Sequence, residues 1–88
     1  MKEQSIQKSI TKAIEKAGGW CCKTITCNKN GVPDILAVID GHFYGIEVKT
    51  PIGKVSPIQE YQIKKIREAG GTAIVARSVE DFLACLRK

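Results

Sequence analysis

Two acidic side chains lie on either side of a predicted tight turn. Glu47 comes thirteen positions after Asp34, and the dipeptide Asp40-Gly41 lies between them. This dipeptide favours a two-residue type I′ hairpin turn, because both of its positions tolerate a positive φ. Counting outward from the turn pairs Asp34 directly with Glu47 across the two strands, with their Cβ atoms about 5 Å apart.

A pair of like charges at this spacing predicts a bound cation. Two carboxylates placed directly opposite each other destabilise a sheet unless a positive group lies between them. Mg²⁺ is such a group, since it is held by one or two carboxylates together with phosphate oxygens and water. Lys49 shares a face with Glu47, because side chains two apart on a strand point to the same side. Two carboxylates, a metal ion and a lysine in one place predict a phosphodiester-cleaving site.

The alternative interpretation of Glu47 and Lys49 is the solvent face of an ordinary strand. Two observations weaken it. The segment 34–39 is apolar at every position after Asp34, which is typical of a strand covered on both faces. Phe43 shares a face with Glu47 under strict alternation, so that face is also expected to be covered. Charges on a covered face are costly unless they are paired or bind metal.

The composition is that of a small globular domain with a basic surface. Eighty-eight residues make one domain with a modest core, and 43% hydrophobic residues argue against disorder. Fourteen Lys and Arg against nine Asp and Glu give a net charge of +5, which suits a polyanion such as nucleic acid. There is no apolar run of the roughly 18 residues that span a membrane, and no N-terminal signal core. We therefore expect a cytoplasmic protein with no membrane partner.

The four cysteines do not have the spacing of a zinc site. Zinc sites commonly use two pairs of ligands, each pair separated by two to four residues, whereas Cys21 and Cys22 are adjacent and Cys85 is isolated. We expect these residues and Cys27 to be reduced and to act as small apolar side chains. Zinc binding or redox chemistry is the alternative.

The predicted elements follow the order α-β-β-β-α-β-α. They are a helix at 3–17, strands at 20–27, 34–39 and 43–49, a helix at 56–69, a strand at 72–76 and a helix after 78. The second helix begins with two independent signals, a Ser-x-x-Gln capping box at Ser56 and a proline at the first helical position. The β-α-β unit over 43–76 predicts a right-handed crossover to a parallel fourth strand. The expected fold is α/β, with a mixed sheet flanked by helices.

The ordered motifs resemble the PD-(D/E)xK nuclease superfamily, and more narrowly its virus-type replication-repair nuclease (VRR-NUC) domain. The resemblance covers nearly the whole chain. It rests on Gly31-Val32-Pro33-Asp34, on Glu47-Val48-Lys49, on an acid in the first helix and on Gln59 early in the second helix. It implies a restriction-endonuclease-like α-β-β-β-α-β core, here followed by a C-terminal helix. It also implies metal-dependent cleavage of DNA by one domain spanning 1–88.

The resemblance also implies a role for each residue of the central motif. Asp34 and Glu47 match the family's metal-binding acids, with the backbone carbonyl of Val48 as a further ligand and Mg²⁺, replaceable by Mn²⁺, as the ion. One or two metal ions fit this set. Lys49 matches the lysine that orients or deprotonates the attacking water and offsets charge on the phosphate. Metal-bound water is acidified, and a lysine adds positive charge as the transition state forms.

Three further residues are candidates, each with an alternative explanation. Glu3 shares the inward stripe of the first helix and matches an acid of the family, although the helix dipole also favours glutamate there. Gln59 lies on the face of Ile63 and would line the site, yet it is also the third residue of the capping box, so two uses compete for one side chain. Lys54 is either a DNA contact or a solvated loop lysine.

The expected substrate is branched DNA. A domain of this size has no helix-turn-helix or zinc finger for reading bases, which favours structure-selective cleavage. Stand-alone members of the family resemble Holliday junction resolvases, and a homodimer would place two sites on a two-fold symmetric junction. The alternatives are a nickase or flap endonuclease, and a non-catalytic DNA-binding module, against which Asp34, Glu47 and Lys49 argue. A toxin-like or structural interaction domain would explain none of the motif.

Overall fold

A computed structural model describes residues 2–87 and contains the seven predicted elements in the predicted order. They are α1 (Glu3–Lys16), β1 (Trp20–Lys23), β2 (Ile35–Ile39), β3 (His42–Val48), α2 (Pro57–Glu68), β4 (Thr72–Ala76) and α3 (Val79–Leu86). The strands form one sheet in the order β1-β2-β3-β4. The first three strands are antiparallel and β4 is parallel to β3. The predicted mixed α/β architecture is confirmed.

The sheet separates two layers of helices. One face packs against α1 and α3, whose buried Ile10 and Phe82 share a core with Ile46 and Val48 of β3. The opposite face of β3 meets α2, because side chains alternate along a strand. At Gly45 the approach of α2 is so close that a Cβ atom would lie 3.2 Å from the Ile66 side chain. The β3-α2-β4 crossover therefore covers this face at Gly45 and Glu47, whereas Phe43, nearer the turn, is 39% exposed, so the expected coverage of the face fails there.

The central hairpin has the predicted turn and register. Asp40 and Gly41 have φ values of 51° and 79°, which is the backbone that a type I′ turn requires. The Cα partners run from Ile39 opposite His42 back to Ile35 opposite Ile46. One step further along the two strands lie Asp34 and Glu47.

Two expectations about coverage and length are wrong. Strand β1 ends at Lys23 rather than Cys27, because Lys23 faces Ile35, the first residue of its partner β2, and the following residues have no strand to pair with. The predicted coverage of β2 on both faces also fails, since Val38 is 41% exposed. The contacts of α2 are with β3 and β4, which leaves the β1-β2 side of that face open.

The second helix begins as the sequence predicts. The Ser56 hydroxyl accepts a hydrogen bond from the backbone of Gln59, and Pro57 occupies the first helical position. Across residues 2–87, no helix combines the length and the apolar character needed to cross a membrane.

Candidate active site

The chemistry-bearing residues meet at the end of the sheet where β2 begins and β3 ends. Because these strands are antiparallel, Asp34 just before β2 and Lys49 just after β3 lie at the same end. The Val48 amide donates a hydrogen bond to Asp34 Oδ2 at 2.9 Å, which joins the two strands beyond their ladder. The structure therefore brings together Asp34, Glu47, Val48 and Lys49, as the spacing predicts.

Glu47 is a buried carboxylate with incomplete hydrogen bonding. It is 1% exposed and is the one charged side chain found buried within the described part of the chain. Its Oε2 accepts a hydrogen bond from Gln59 Nε2 at 3.2 Å and lies 3.7 Å from Lys49 Nζ. Its Oε1 has no hydrogen-bond partner among residues 2–87. Buried polar atoms are nearly always satisfied in folded proteins, so this oxygen is suited to a ligand.

The pKa of Glu47 is raised to about 8, chiefly by burial and then by the nearby negative charge of Asp34. The Lys49 ammonium acts in the opposite direction, and the carboxylate of Glu3 adds a smaller increase. Without a cation, the Glu47 carboxyl therefore holds its proton near neutral pH. A divalent cation would replace that proton, because metal binding requires the deprotonated carboxylate.

The donor set of this site fits a hard divalent cation. Carboxylate and backbone carbonyl oxygens are the ligands that Mg²⁺ and Mn²⁺ take, and Mg²⁺ keeps several waters when one or two carboxylates hold it. No group of three or more His, Cys, Asp and Glu side chains placed to hold a metal occurs in the described range. Asp34, Glu47 and the Val48 carbonyl would therefore leave the remaining positions to water and substrate phosphate.

Gln59 makes both of the contacts that were expected to compete. Its Oε1 accepts a hydrogen bond from the Ser56 amide at 2.9 Å and completes the capping box. Its Nε2 donates to Glu47 Oε2. The expected competition is wrong, because a side-chain amide has an acceptor and a donor at separate atoms. The N-terminus of α2 is thereby tied to the buried carboxylate.

The remaining predicted residues lie at the border of this site. Glu3 is the first residue of α1, is half-buried, and its charge acts on Glu47. Lys54 is exposed on the loop after Lys49, and within 2–87 it makes no ion pair with either acid. Its role as a DNA contact stays a prediction.

Arg77 is a site-supporting residue that the sequence interpretation missed. It follows β4, and its Nη1 donates hydrogen bonds to the carbonyls of Thr50 and Gly53 at 2.7 and 2.6 Å. These contacts hold the loop that begins at Lys49. The predicted parallel arrangement of β3 and β4 could have indicated this role. Parallel strands end at the same edge of the sheet, so an arginine directly after β4 can reach the loop after β3.

The cysteines differ in their surroundings. All four are free thiols. Cys21 packs against the core, as expected of a small apolar side chain, and burial raises the pKa of its thiol. Cys27 is exposed, so the expectation of apolar packing is wrong for this residue.

A family model described as the VRR-NUC domain matches residues 1–80 of the chain. Together with the buried Glu47 carboxylate beside Asp34 and Lys49, this match defines the class of protein as a nuclease. The chain belongs to the VRR-NUC domain family. The resemblance inferred from the motifs is therefore confirmed.

Similar proteins have consistent names and folds. The nuclease-named protein p44 of Acyrthosiphon pisum secondary endosymbiont phage 1 is 30% identical over 79 residues, which is 89% of this chain and 85% of the relative. A solved structure described as a VRR-NUC domain superposes with a TM-score of 0.85 at 25% identity, covering 97% of this chain and 94% of the other. Hjc of Archaeoglobus fulgidus, a Holliday junction resolvase, superposes with a TM-score of 0.63 at 23% identity, over 83% of this chain and 65% of Hjc. The Hjc match reflects a shared fold.

We expect Glu47→Gln to stabilise the metal-free protein at alkaline pH. The pKa of this carboxyl rises from 4.5 to about 8 on folding, so its contribution to stability is present below pH 4.5 and is lost as the pH rises to 8. The neutral amide escapes that loss. The free energy of unfolding should rise by at least about 1 kcal/mol at pH 9, with a smaller change at pH 4. Urea unfolding in EDTA measures both values, and a variant less stable than its parent at pH 9 would contradict the burial argument.

The two contacts of Gln59 can be separated by a matched pair of variants. Ser56→Ala removes the cap oxygen and leaves the Nε2 donor, so we expect a loss of about 1 kcal/mol in stability with cleavage nearly unchanged. Gln59→Glu keeps a capping-box acceptor but places a third carboxylate beside Glu47. That variant should retain its stability at low pH and lose at least about tenfold in cleavage rate at neutral pH. Cleavage rates that simply follow the stability of the two variants would reject a direct role for the amide.

Proposed function

We propose that this nuclease is a Mg²⁺-dependent, structure-selective DNA endonuclease, with 1–88 acting as one domain, that resolves four-way junctions as a homodimer. The observation that carries the proposal is the buried Oε1 of Glu47 beside Asp34, an oxygen that has no hydrogen-bond partner in the described range 2–87. Burying a carboxylate oxygen without a partner is costly, so the arrangement is best explained by a cation at the site. Mn²⁺ is expected to substitute, because it prefers the same oxygen ligands.

The proposed mechanism divides the work among the residues at the sheet end. Asp34, Glu47 and the Val48 carbonyl would hold the cation, which when bound would acidify a water molecule and act as a Lewis acid toward the phosphate. Lys49 orients the attacking water and offsets the negative charge that grows on the phosphoryl oxygens as the bond to the leaving oxygen breaks. Gln59 holds the Glu47 carboxylate in place through Nε2. Glu3 adds negative charge beside the acid pair.

The choice of DNA as substrate is supported by charge and by the relatives. The net charge of +5 favours binding to a polyanion. Lys54 is exposed on the loop that follows Lys49, where it would contact a phosphate. The phage relative bears a nuclease name, which is consistent with work on DNA in the cytoplasm of a prokaryotic or phage-infected cell. No membrane partner is proposed.

The choice of branched DNA is supported by architecture. The described elements form one sheet with its helices, and none of them is a base-reading helix-turn-helix. The shared fold with Hjc, itself a Holliday junction resolvase, makes four-way junctions the first substrate to test. A homodimer would match the two-fold symmetry of such a junction and cut opposite strands.

Cleavage of labelled four-way junctions with Mg²⁺ or Mn²⁺ tests the proposal, beside flap, nicked and linear duplex DNA. We expect paired symmetric cuts on the junction, lowered at least about 100-fold by Lys49→Ala because the charge at the phosphate is lost. Lys12→Ala removes an equal charge from an exposed position of α1 and should have little effect. Sedimentation should show two chains per junction.

The other outcomes of this experiment have distinct meanings. Cuts confined to flaps or single strands would support nuclease activity but contradict the proposal that the protein resolves junctions. One chain per junction would point to a nickase. Tight binding to every substrate without metal-dependent cleavage would identify a non-catalytic DNA-binding module with a nuclease fold.

Cation binding can be measured without any cleavage. We expect Asp34→Asn to weaken Mn²⁺ binding by at least about tenfold, because a carboxylate ligand is replaced by a neutral amide. The amide oxygen still accepts the Val48 hydrogen bond, so the fold should persist. Asp40→Asn is the matched control, since asparagine also tolerates the left-handed turn conformation. Electron paramagnetic resonance of free Mn²⁺ gives both affinities, and equal affinities would exclude Asp34 as a ligand.

A further inference from the structure

Two isoleucine side chains stand out for their exposure and their position. Ile25 is 94% exposed and Ile52 is 92% exposed, whereas the other large hydrophobic residues at the described surface reach at most 61%. Single apolar residues on a surface are ordinary. These two are distinctive because they lie on the two loops that carry Asp34 and Lys49.

The two loops leave the same end of the sheet. The first, 24–34, connects β1 to β2 and ends at Asp34, and the second, 49–56, begins at Lys49 and leads to α2. Since β1 and β3 are both antiparallel to β2, the end of β1, the start of β2 and the end of β3 coincide. One exposed isoleucine therefore lies on each loop that borders the acid pair.

The first loop is anchored on both sides of its exposed isoleucine. Thr24, directly before Ile25, donates its amide to the Asp34 carbonyl and its hydroxyl to the Pro33 carbonyl, both at 2.8 Å. Further along the loop, Gln62 Nε2 of α2 donates to the Asn30 carbonyl at 3.0 Å. The backbone is held while the side chain of Ile25 lies in solvent.

The second loop is held in the same manner. The amide of Gly53 donates to the Thr50 carbonyl at 3.1 Å, closing a tight turn that has Ile52 within it. The Arg77 guanidinium binds the carbonyls of the same two residues. A backbone that is already ordered loses less conformational entropy when the side chain it presents is bound.

The charges on these loops indicate what the isoleucines contact. Lys29 lies four residues after Ile25, Lys54 lies two residues after Ile52, and both lysines are exposed. An apolar side chain beside a cation suits DNA, where bases and phosphates lie within one nucleotide of each other. A second copy of this chain would bring like-charged loops together, so self-association through these tips is disfavoured.

We propose that Ile25 and Ile52 are wedges that insert between bases at the branch point beside the scissile phosphate. This inference rests on the proposed function. Apolar side chains such as isoleucine insert between base steps and unstack them at a cost. That cost is least where the bases are unpaired or already strained. The wedges would therefore favour branched DNA over continuous duplex without any contact that reads sequence.

Fluorescence of 2-aminopurine placed at the branch point tests the wedges directly. The protein carries Lys49→Ala so that the DNA stays intact, and anisotropy confirms saturation. We expect binding to increase the fluorescence, and Ile25→Ser with Ile52→Ser to lower that increase at least about threefold, because the bases stay stacked. Both side chains lie in solvent, so the variants should fold, as circular dichroism verifies. Val38→Thr, an exposed position at the opposite end of the sheet, is the control. An unchanged increase in the double variant overturns the proposal.

Cleavage by the active protein gives the second readout. We expect the double isoleucine variant to slow cleavage of a fully paired junction about tenfold, and to slow a junction with unpaired nucleotides at its centre less than about twofold. Equal effects on the two substrates overturn the wedge. Failure of the proposed function has a different signature, which is no metal-dependent cleavage by the parent on any substrate. In that case the 2-aminopurine fluorescence still tests whether Ile25 and Ile52 insert between bases, because it requires no cleavage.

Discussion

The burial of the Glu47 carboxylate beside Asp34 is the constraint on which the rest of the structure depends. Two neighbouring acids, one of them buried, are unfavourable unless a proton or a cation neutralises their charge, and the raised pKa of Glu47 reflects that cost. The hairpin register, the hydrogen bond from Val48 to Asp34 and the crossover helix all maintain this arrangement. The fold therefore stores an electrostatic penalty at the one point where a cation would relieve it.

Helix α2 links stability to chemistry at this point. Its first turn is capped through Gln59, and the same side chain reaches the Glu47 carboxylate. The helix also packs so closely on β3 at Gly45 that a side chain at this position would have little room. The position at which this helix begins therefore determines how far Glu47 is desolvated. Small shifts of the helix N-terminus would change both the hydrogen bond from Gln59 to Glu47 and the access of water to the carboxylate.

Local chemistry made much of the fold and site predictable. The Asp40-Gly41 turn sets the register of the hairpin, and Ser56 with Pro57 sets the start of α2. The features that escaped prediction depend on distant parts of the chain. The length of β1 is limited by where its partner begins, and the exposure of Val38 depends on how far α2 reaches across the sheet. The contacts of Arg77 require the ends of β3 and β4 to meet, which no short segment encodes.

The position of Arg77 in the chain orders the assembly of the site in time. Its contact with Thr50 spans 27 positions of sequence, whereas the hairpin that carries both acids closes through a two-residue turn. Contacts between distant segments form later than local ones, because more chain entropy must be lost first. A growing chain would therefore acquire its paired acids before the loop beyond Lys49 becomes rigid. Strand β4, which joins the sheet last, brings Arg77 to the loop that begins at Lys49.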